Sequence, residues 1–318
     1  MPVSRELQLP SGDRIPTVGF GTWTMWRGDK GEMCKAVKEA IKVGYRHIDC
    51  AWVYKNQEEV GQAIKESIEE GTIKREDLFV TTKLWNTAHR REAVKENLKN
   101  SLVQLGLSYV NLLLIHVPVS FKEGEDDFPK DNDGKIIFAH HDLVDTWKGM
   151  EDCVDADLAR NIGLSNFNHL QVQRIIDASR IRPSVIQVEI NPLFSNSQLV
   201  EYCQKRDIVV TAYGPLGAPN RPWKTADDPN LLEKPVVKQI ASAKGKTPAQ
   251  IVLRCLLQRG LVIIPQSSNP ARIKENFELF DFELNEDEMK KMAALDQNFR
   301  AYLEELCMGH PEYPFNDW

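Results

Sequence analysis

The stretch Gly44-Tyr45-Arg46-His47-Ile48-Asp49-Cys50-Ala51-Trp52-Val53-Tyr54 carries the decisive pattern. A short apolar run, residues 45–49, ends on a carboxylate, and a tyrosine follows within one turn. Two later runs end the same way: residues 78–84 carry Lys83 next to their end, and residues 110–116 close on His116. Polar residues at the ends of successive apolar strands, with helical spacing between the strands, mark a parallel sheet whose carboxyl rim gathers its chemistry. Asp49, Tyr54, Lys83 and His116 are therefore expected to meet. A cation beside a phenol favours the phenolate, so Lys83 is expected to lower the pKa of Tyr54 and make it a proton donor near neutral pH. Asp49 would hold the lysine, and His116 would orient a substrate oxygen.

Outward from these runs the alternation continues. Residues 6–9 and 14–15, parted by Pro10-Ser11-Gly12-Asp13, read as a hairpin plugging one end of a barrel. A first strand spans residues 18–21. Met33, Ala36, Val37, Ala40 and Ile41 then form one apolar helix face, closed by Gly44. In the second unit Asn56 is expected to cap a helix with Glu59 as its capping-box partner, ahead of the stripe Val60, Ala63, Ile64, Ile68 and then Gly71. The third carries Val94, Leu98, Leu102 and Leu105 before Gly106. Later strands are read at residues 159–164, 185–189, 208–213 and 261–265, which makes eight. Helical patterns lie at residues 170–178, 197–206, 248–259 and 271–277, with an extra helix at 286–298 before an irregular tail. Two long segments, residues 118–142 and 214–233, exceed what a connection needs and would shape a pocket on the rim. The expectation is a single (β/α)8 barrel domain over residues 1–318, with an N-terminal hairpin, long rim loops and a C-terminal tail over the site.

Composition narrows the function. The 318 residues carry a net charge of −6 with basic residues scattered, which offers no concentrated positive surface for nucleic acid. No apolar stretch nears the roughly 20 residues a membrane span needs, and residues 1–10 lack the apolar core of a leader. Six dispersed cysteines without a Cys-x-x-Cys pair favour reduced thiols and a cytoplasmic setting over disulfides or zinc. His140 and His141 lack metal-ligand spacing, and no metal site is expected.

Seven segments carry a family resemblance: Gly19-Phe20-Gly21-Thr22-Trp23, Gly44-Tyr45-Arg46-His47-Ile48-Asp49, Leu114-Ile115-His116, Gly163-Leu164-Ser165-Asn166-Phe167, Gln187-Val188-Glu189, Tyr213-Gly214-Pro215-Leu216-Gly217 and Ile264-Pro265-Gln266-Ser267. In order and spacing the chain resembles the aldo-keto reductases, and within them the animal aldose and aldehyde reductases. The resemblance implies a barrel that binds an extended nicotinamide dinucleotide without a Rossmann fingerprint, in agreement with the lack of a Gly-x-Gly-x-x-Gly turn. By position it implies that Asp49, Tyr54, Lys83 and His116 are the catalytic tetrad, with Tyr54 as proton donor to the carbonyl oxygen. Gly21, Thr22 and Asp49 would lie along the cofactor; Ser165, Asn166 and Gln187 would hold the carboxamide, and Tyr213 would stack on the ring. Gly214 and Leu216 would line the pyrophosphate. Gln266, Ser267, Asn269, Arg272, Glu275 and Asn276 would meet the adenosine end, with Arg272 on a ribose 2′-phosphate.

Departures from the family pattern refine these expectations. Gln266 stands where a lysine is usual, so NADPH is expected to be preferred by a reduced margin, with NADH usable. The salt-bridge latch over the pyrophosphate is expected to be weak, with Asn220, Thr24 and Gln266 at its positions. Trp23, Trp85, Phe128, Trp223 and Tyr302 would form an aromatic substrate pocket. Val117, where tryptophan is usual, would leave room for bulky carbonyls. The expected activity is NADPH-dependent reduction of aldehydes, and of some ketones or sugar aldehydes, and the same resemblance implies a monomer. A structural or cofactor-binding regulatory barrel is the alternative from another class, which cofactor oxidation with a small aldehyde would separate. A metal-dependent barrel hydrolase is weaker, for want of a histidine pair after the first strand.

Overall fold

The computed structural model describes residues 3–24 and 30–316. Strands β1 (Glu6–Gln8) and β2 (Arg14–Pro16) pair as an antiparallel hairpin. Leu9 and Ile15 are buried with Phe79, Leu112, Leu114, Val185 and Val262, so the hairpin closes the amino-terminal end of the barrel. Ser11 and Asp13 fasten it there by hydrogen bonds to Asn161 (2.6 and 2.7 Å).

Eight parallel strands follow: β3 (Phe20–Gly21), β4 (His47–Asp49), β5 (Phe79–Leu84), β6 (Val110–Ile115), β7 (Ala159–Ser165), β8 (Val185–Glu189), β9 (Val209–Tyr213) and β10 (Val262–Ile263). Each pairs with the next. The ring closes where Gly19 N–H donates to Ile263 O (2.8 Å) and Ile263 N–H to Thr17 O (2.9 Å). Gly21 is required at this seam, because a Cβ there would stand 2.7 Å from Ile264 O. The last strand is shorter than the expected 261–265, since Pro265 has no N–H to continue a ladder.

The outer layer comprises α1 (Glu32–Val43), α2 (Gln57–Glu69), α3 (Arg91–Leu105), α4 (Leu143–Asp155), α5 (His169–Ala178), α6 (Ser197–Gln204), α7 (Pro235–Lys244), α8 (Pro248–Gln258), α9 (Pro270–Glu275) and α10 (Glu286–Ala293). The apolar faces expected of the first three helices are the buried ones, except that Ile68, expected in the α2 stripe, is exposed near the helix end, where Ser67 is buried instead. The helices α4 and α7 are absent from the sequence patterns above. Asp142 caps the first of them by accepting from Val144 N–H, and Lys234-Pro235 opens the second. Both begin at the exits of the long rim segments, whose polar composition masks the helix start.

The capping box expected at α2 does not form. Asn56 donates from Nδ2 to Thr22 O (2.8 Å), and Glu59 reaches back to the preceding helix. Its carboxylate accepts from Gly31, Met33 and Cys34 N–H (3.1, 3.0 and 3.3 Å), the open donors of an α1 terminus whose N-cap is a glycine with no side chain to offer. A carboxylate is better placed on three unpaired donors at a helix N-terminus than on one. Glu59→Ala should therefore destabilise the protein by about 1–3 kcal/mol, with Glu59→Gln intermediate, in urea unfolding. A loss no larger than that of an exposed Glu→Ala control would refute this cross-helix cap.

Candidate active site

The four chemistry-bearing residues converge at the carboxyl rim. Asp49 ends β4, Tyr54 ends the single 3-10 turn Trp52–Tyr54, Lys83 is the penultimate residue of β5, and His116 follows β6. Lys83 is fully buried and its ammonium donates to Asp49 Oδ1 (2.5 Å), Cys50 O (2.9 Å) and Tyr54 Oη (3.1 Å). An ammonium has three protons, so all are engaged. Burial opposes its charge, but Asp49 and Tyr54 outweigh burial and hold the Lys83 pKa above its ordinary value. Gln187 donates from Nε2 to Asp49 Oδ2 (2.8 Å), and Thr22 Oγ1 donates to Asp49 O (2.8 Å), so the carboxylate is fixed at both ends.

Because Tyr54 Oη accepts from Lys83, its own proton is left to donate. The expected lowering of its pKa is not found. Burial of the phenol dominates the attraction of Lys83 and pushes Tyr54 up to about 12. The tyrosine is thus a fully protonated donor at neutral pH. Its ring lies edge-on to His116 (5.7 Å between centroids), which in turn meets Trp85 (5.4 Å). Burial, seconded by Lys83, holds His116 well below its ordinary pKa, so it is neutral. Its Nδ1 is buried without a partner among the described residues. An unpaired lone pair costs less than an unpaired N–H, which favours the tautomer with the proton on Nε2.

Around this centre the rim carries the remaining sequence candidates. Ser165 ends β7 and pairs in register with Gln187. Asn166, at φ 60°, donates to His116 O (3.0 Å) and accepts from Tyr213 Oη (2.8 Å). Gly214 and Leu216 follow β9, with Gly214 in the left-handed region at φ 58°. A separate group lies across the seam. The Arg272 guanidinium is exposed and donates from Nε to Ser267 Oγ (3.4 Å), Asn269 caps α9, Gln266 is exposed, and Asn276 is buried. Glu275 accepts from Thr247 Oγ1 (2.6 Å).

Two of the long segments supply walls. In residues 118–142, Asp127 accepts from the Trp52 indole (2.8 Å) and pairs with Lys55, its carbonyl accepts from the Trp85 indole (2.8 Å), and Phe128 packs edge-on against Trp85. In residues 214–233 the expected latch positions are replaced by an internal staple, in which buried Arg221 pairs with Asp228 and donates to Ala218 O (3.2 Å). The Trp223 indole donates to Ala301 O (2.8 Å), and Tyr302 packs edge-on to Trp23, Tyr213 and Trp223. Val117 is buried in one apolar cluster with Trp85, Val119, Phe121 and the tail's Cys307, so it does not border the open room expected beside it.

Glu189 was given no role by the sequence, although it ends β8 as the tetrad residues end theirs. It is fully buried and accepts from Ala301 and Tyr302 N–H. An acid closing a fully buried strand, two residues after Gln187 on the same face, was the signal that could have marked it. The described cysteines are free thiols, and no group of described residues is arranged to hold a metal. No helix among them is long and apolar enough to cross a membrane.

A closed parallel barrel with a tyrosine, a lysine, an aspartate and a histidine gathered at its carboxyl rim defines a carbonyl oxidoreductase. Residues 17–297 match the Aldo/keto reductase family, and the chain belongs to that family. It is 46% identical over 315 residues to aldo-keto reductase family 1 member C15 of Rattus norvegicus, covering 98% of this chain and 97% of the relative. It is 43% identical over 319 residues to aldo-keto reductase family 1 member A1 of Homo sapiens, covering 97% of each. The solved aldose reductase of Schistosoma japonicum is 44% identical, with a TM-score of 0.92 over 99% of both chains.

The protonation of Tyr54 yields a pH prediction. With its value at about 12, the donor form persists through the neutral and mildly alkaline range and is lost only as pH approaches that value. Reduction of a compact aldehyde such as glyceraldehyde, read as kcat/KM, should stay flat between about pH 6 and pH 9. A decline with a midpoint near pH 8 that vanishes in Lys83→Met would show that the lysine does lower the tyrosine.

Proposed function

We propose that this chain reduces aldehydes, and some ketones, to alcohols with NADPH in preference to NADH. The observation that carries this reading is the exhausted Lys83 ammonium: with its three protons on Asp49, Cys50 O and Tyr54 Oη, it is the tyrosine and not the lysine that keeps a proton free to give. When bound, the cofactor supplies the hydride. Tyr54 gives its proton to the carbonyl oxygen, Lys83 stabilises the phenolate left behind, and the neutral His116 donates from Nε2 to orient that oxygen. Trp23, Trp85, Phe128, Trp223 and Tyr302 exclude water and wall the substrate, with Val117 behind them.

The rim residues fit a nicotinamide dinucleotide. Tyr213 offers a flat ring anchored through Asn166, and Ser165, Asn166 and Gln187 supply amide-matching groups beside it. Gly214 has no Cβ to bar close approach to its backbone, and Leu216 continues the same turn. Gly21 and Thr22 border the groove, although both also serve packing and the Asp49 backbone. At the far end Arg272, with Ser267, Asn269, Glu275 and Asn276, suits an adenosine 2′-phosphate, and Gln266 adds no charge to it. We assign the chain a single barrel domain acting as a cytosolic monomer on small carbonyl compounds, with no nucleic-acid or membrane partner. The intact tetrad favours turnover over a structural or regulatory role.

Tyr54→Phe should nearly abolish carbonyl reduction while cofactor affinity stays within a few-fold, measured by NADPH oxidation and by fluorescence titration. A variant that keeps most of its turnover would end the proposal. Gln266→Lys should tighten NADPH by about 1.5–3 kcal/mol, roughly ten- to a hundredfold, and leave NADH nearly unchanged. Equal tightening of both cofactors would place residue 266 away from the phosphate.

A further inference from the structure

Glu189 is a buried carboxylate that the chemistry above does not use. It lies opposite Tyr213 in the β8–β9 register, and it shares a strand face with Gln187 two residues earlier. Gln187 holds Asp49. Glu189 Oε1 accepts from Ala301 N–H (2.9 Å) and from Asn191 Nδ2 (3.5 Å), and Oε2 accepts from Ala301 and Tyr302 N–H (3.1 and 3.0 Å). Burying a carboxylate is costly unless such donors converge on it, and here the principal ones are two consecutive amides of the tail.

We propose that Glu189 is a positioning residue for substrate selection, because its carboxylate clamps Ala301 and Tyr302 so that the Tyr302 ring forms a fixed wall of the carbonyl pocket. The proposal rests on the carbonyl-reductase reading. Ala301 is held from both sides, its N–H on Glu189 and its carbonyl on the Trp223 indole (2.8 Å). With that residue fixed, the Tyr302 ring stands edge-on to three aromatic neighbours, Trp23 (5.7 Å), Tyr213 (5.4 Å) and Trp223 (5.6 Å). Its Cε2 would lie 3.2 Å from a Cβ on Gly214, so a side chain there would push the ring away. One carboxylate thus joins β8, the segment 214–233 and the tail at the level of Tyr213. A neutral amide at 189 keeps one acceptor oxygen for the two contacts of Oε2 but puts an NH2 where Oε1 accepts from Ala301 and Asn191, so it loses that half of the clamp and the charge on the rest.

The charge state of the clamp gives an independent readout. Burial pushes Glu189 up to about 7 against the pull of the Ala301 and Tyr302 amides, Arg300 and Arg221. The other titratable groups around it are Tyr213 and Tyr302, both raised by burial, and Glu304, raised to about 7 by burial with Arg300 opposing. As pH falls through 7 the carboxyl takes a proton and becomes a weaker acceptor for the tail.

The test compares wild type, Glu189→Ala, Glu189→Gln, Tyr302→Ala and the double variant Glu189→Ala/Tyr302→Ala, with NADPH and either glyceraldehyde or phenanthrenequinone. For the bulky quinone, Glu189→Ala should raise KM by about fivefold or more with kcat within about twofold, and Tyr302→Ala should do the same. The double variant should be no worse than either single one, since both remove the same wall. In wild type the quinone-to-glyceraldehyde ratio of kcat/KM should change with a midpoint near pH 7, and Glu189→Gln should flatten it. Additive effects in the double variant, or Glu189 variants with a lower Tm but unchanged KM and pH profile, would overturn the proposal. If Glu189→Ala fails to fold, the Glu189→Gln profile decides alone. Failure of wild type to oxidise NADPH with either carbonyl would instead sink the reductase reading.

Discussion

The hydrogen bond from Gln187 to Asp49 spans the barrel. In an eight-strand ring β4 and β8 lie opposite each other, so this 2.8 Å contact exists only if the sheet has closed with both strands in register. A one-residue slip of either strand would turn its side chain to the helical layer. Everything chemical hangs from that constraint. Asp49 is oriented by Gln187 and then holds Lys83, Lys83 holds Tyr54, and the proton of Tyr54 is left free to donate. Placing a buried ammonium against a buried carboxylate is expensive, and it becomes tolerable because every proton and both oxygens have partners.

That arrangement explains which parts of the site were legible in the sequence. The strands β5, β6 and β8 could be read almost to their ends because continuous apolar runs are what a sheet buried on both faces requires. Asp49, Lys83 and His116 then stood out as polar residues where such runs stop. What the sequence could not convey is desolvation. A neighbouring lysine is visible as a residue type, but the burial that overrides it at Tyr54 depends on walls contributed by distant segments. The same limit applies at Val117, where a smaller side chain suggests a void, yet the residue is buried in an apolar cluster to which the distant tail contributes Cys307. Glu59 failed for a related reason: the pattern identified a local capping partner, while the more demanding donors lay on another helix.

The rim loops follow a different logic from the tetrad. Residues 118–142 are tied to the catalytic turn through Asp127, which serves Trp52, Lys55 and Trp85 together. Residues 214–233 are organised internally by Arg221 and Asp228, and reach the tail through Trp223. The aromatic and backbone contacts of the tail hold the second segment over the rim.

Asp49 and Glu189 make the division plain. Both are carboxylates buried at strand ends, yet one is held by side chains of the barrel and the other holds backbone amides of the tail. The first arrangement is built from neighbours fixed by the sheet, so the tetrad is as rigid as the barrel. The second recruits a chain end with little regular structure, whose position depends on a few hydrogen bonds and ring contacts. Rigidity is what proton transfer needs, because the donor must meet the carbonyl oxygen within hydrogen-bond reach. A wall held by a titratable clamp can differ in shape between substrates or conditions without disturbing that geometry, and this is why selectivity can be carried by the tail while the reaction stays with the sheet.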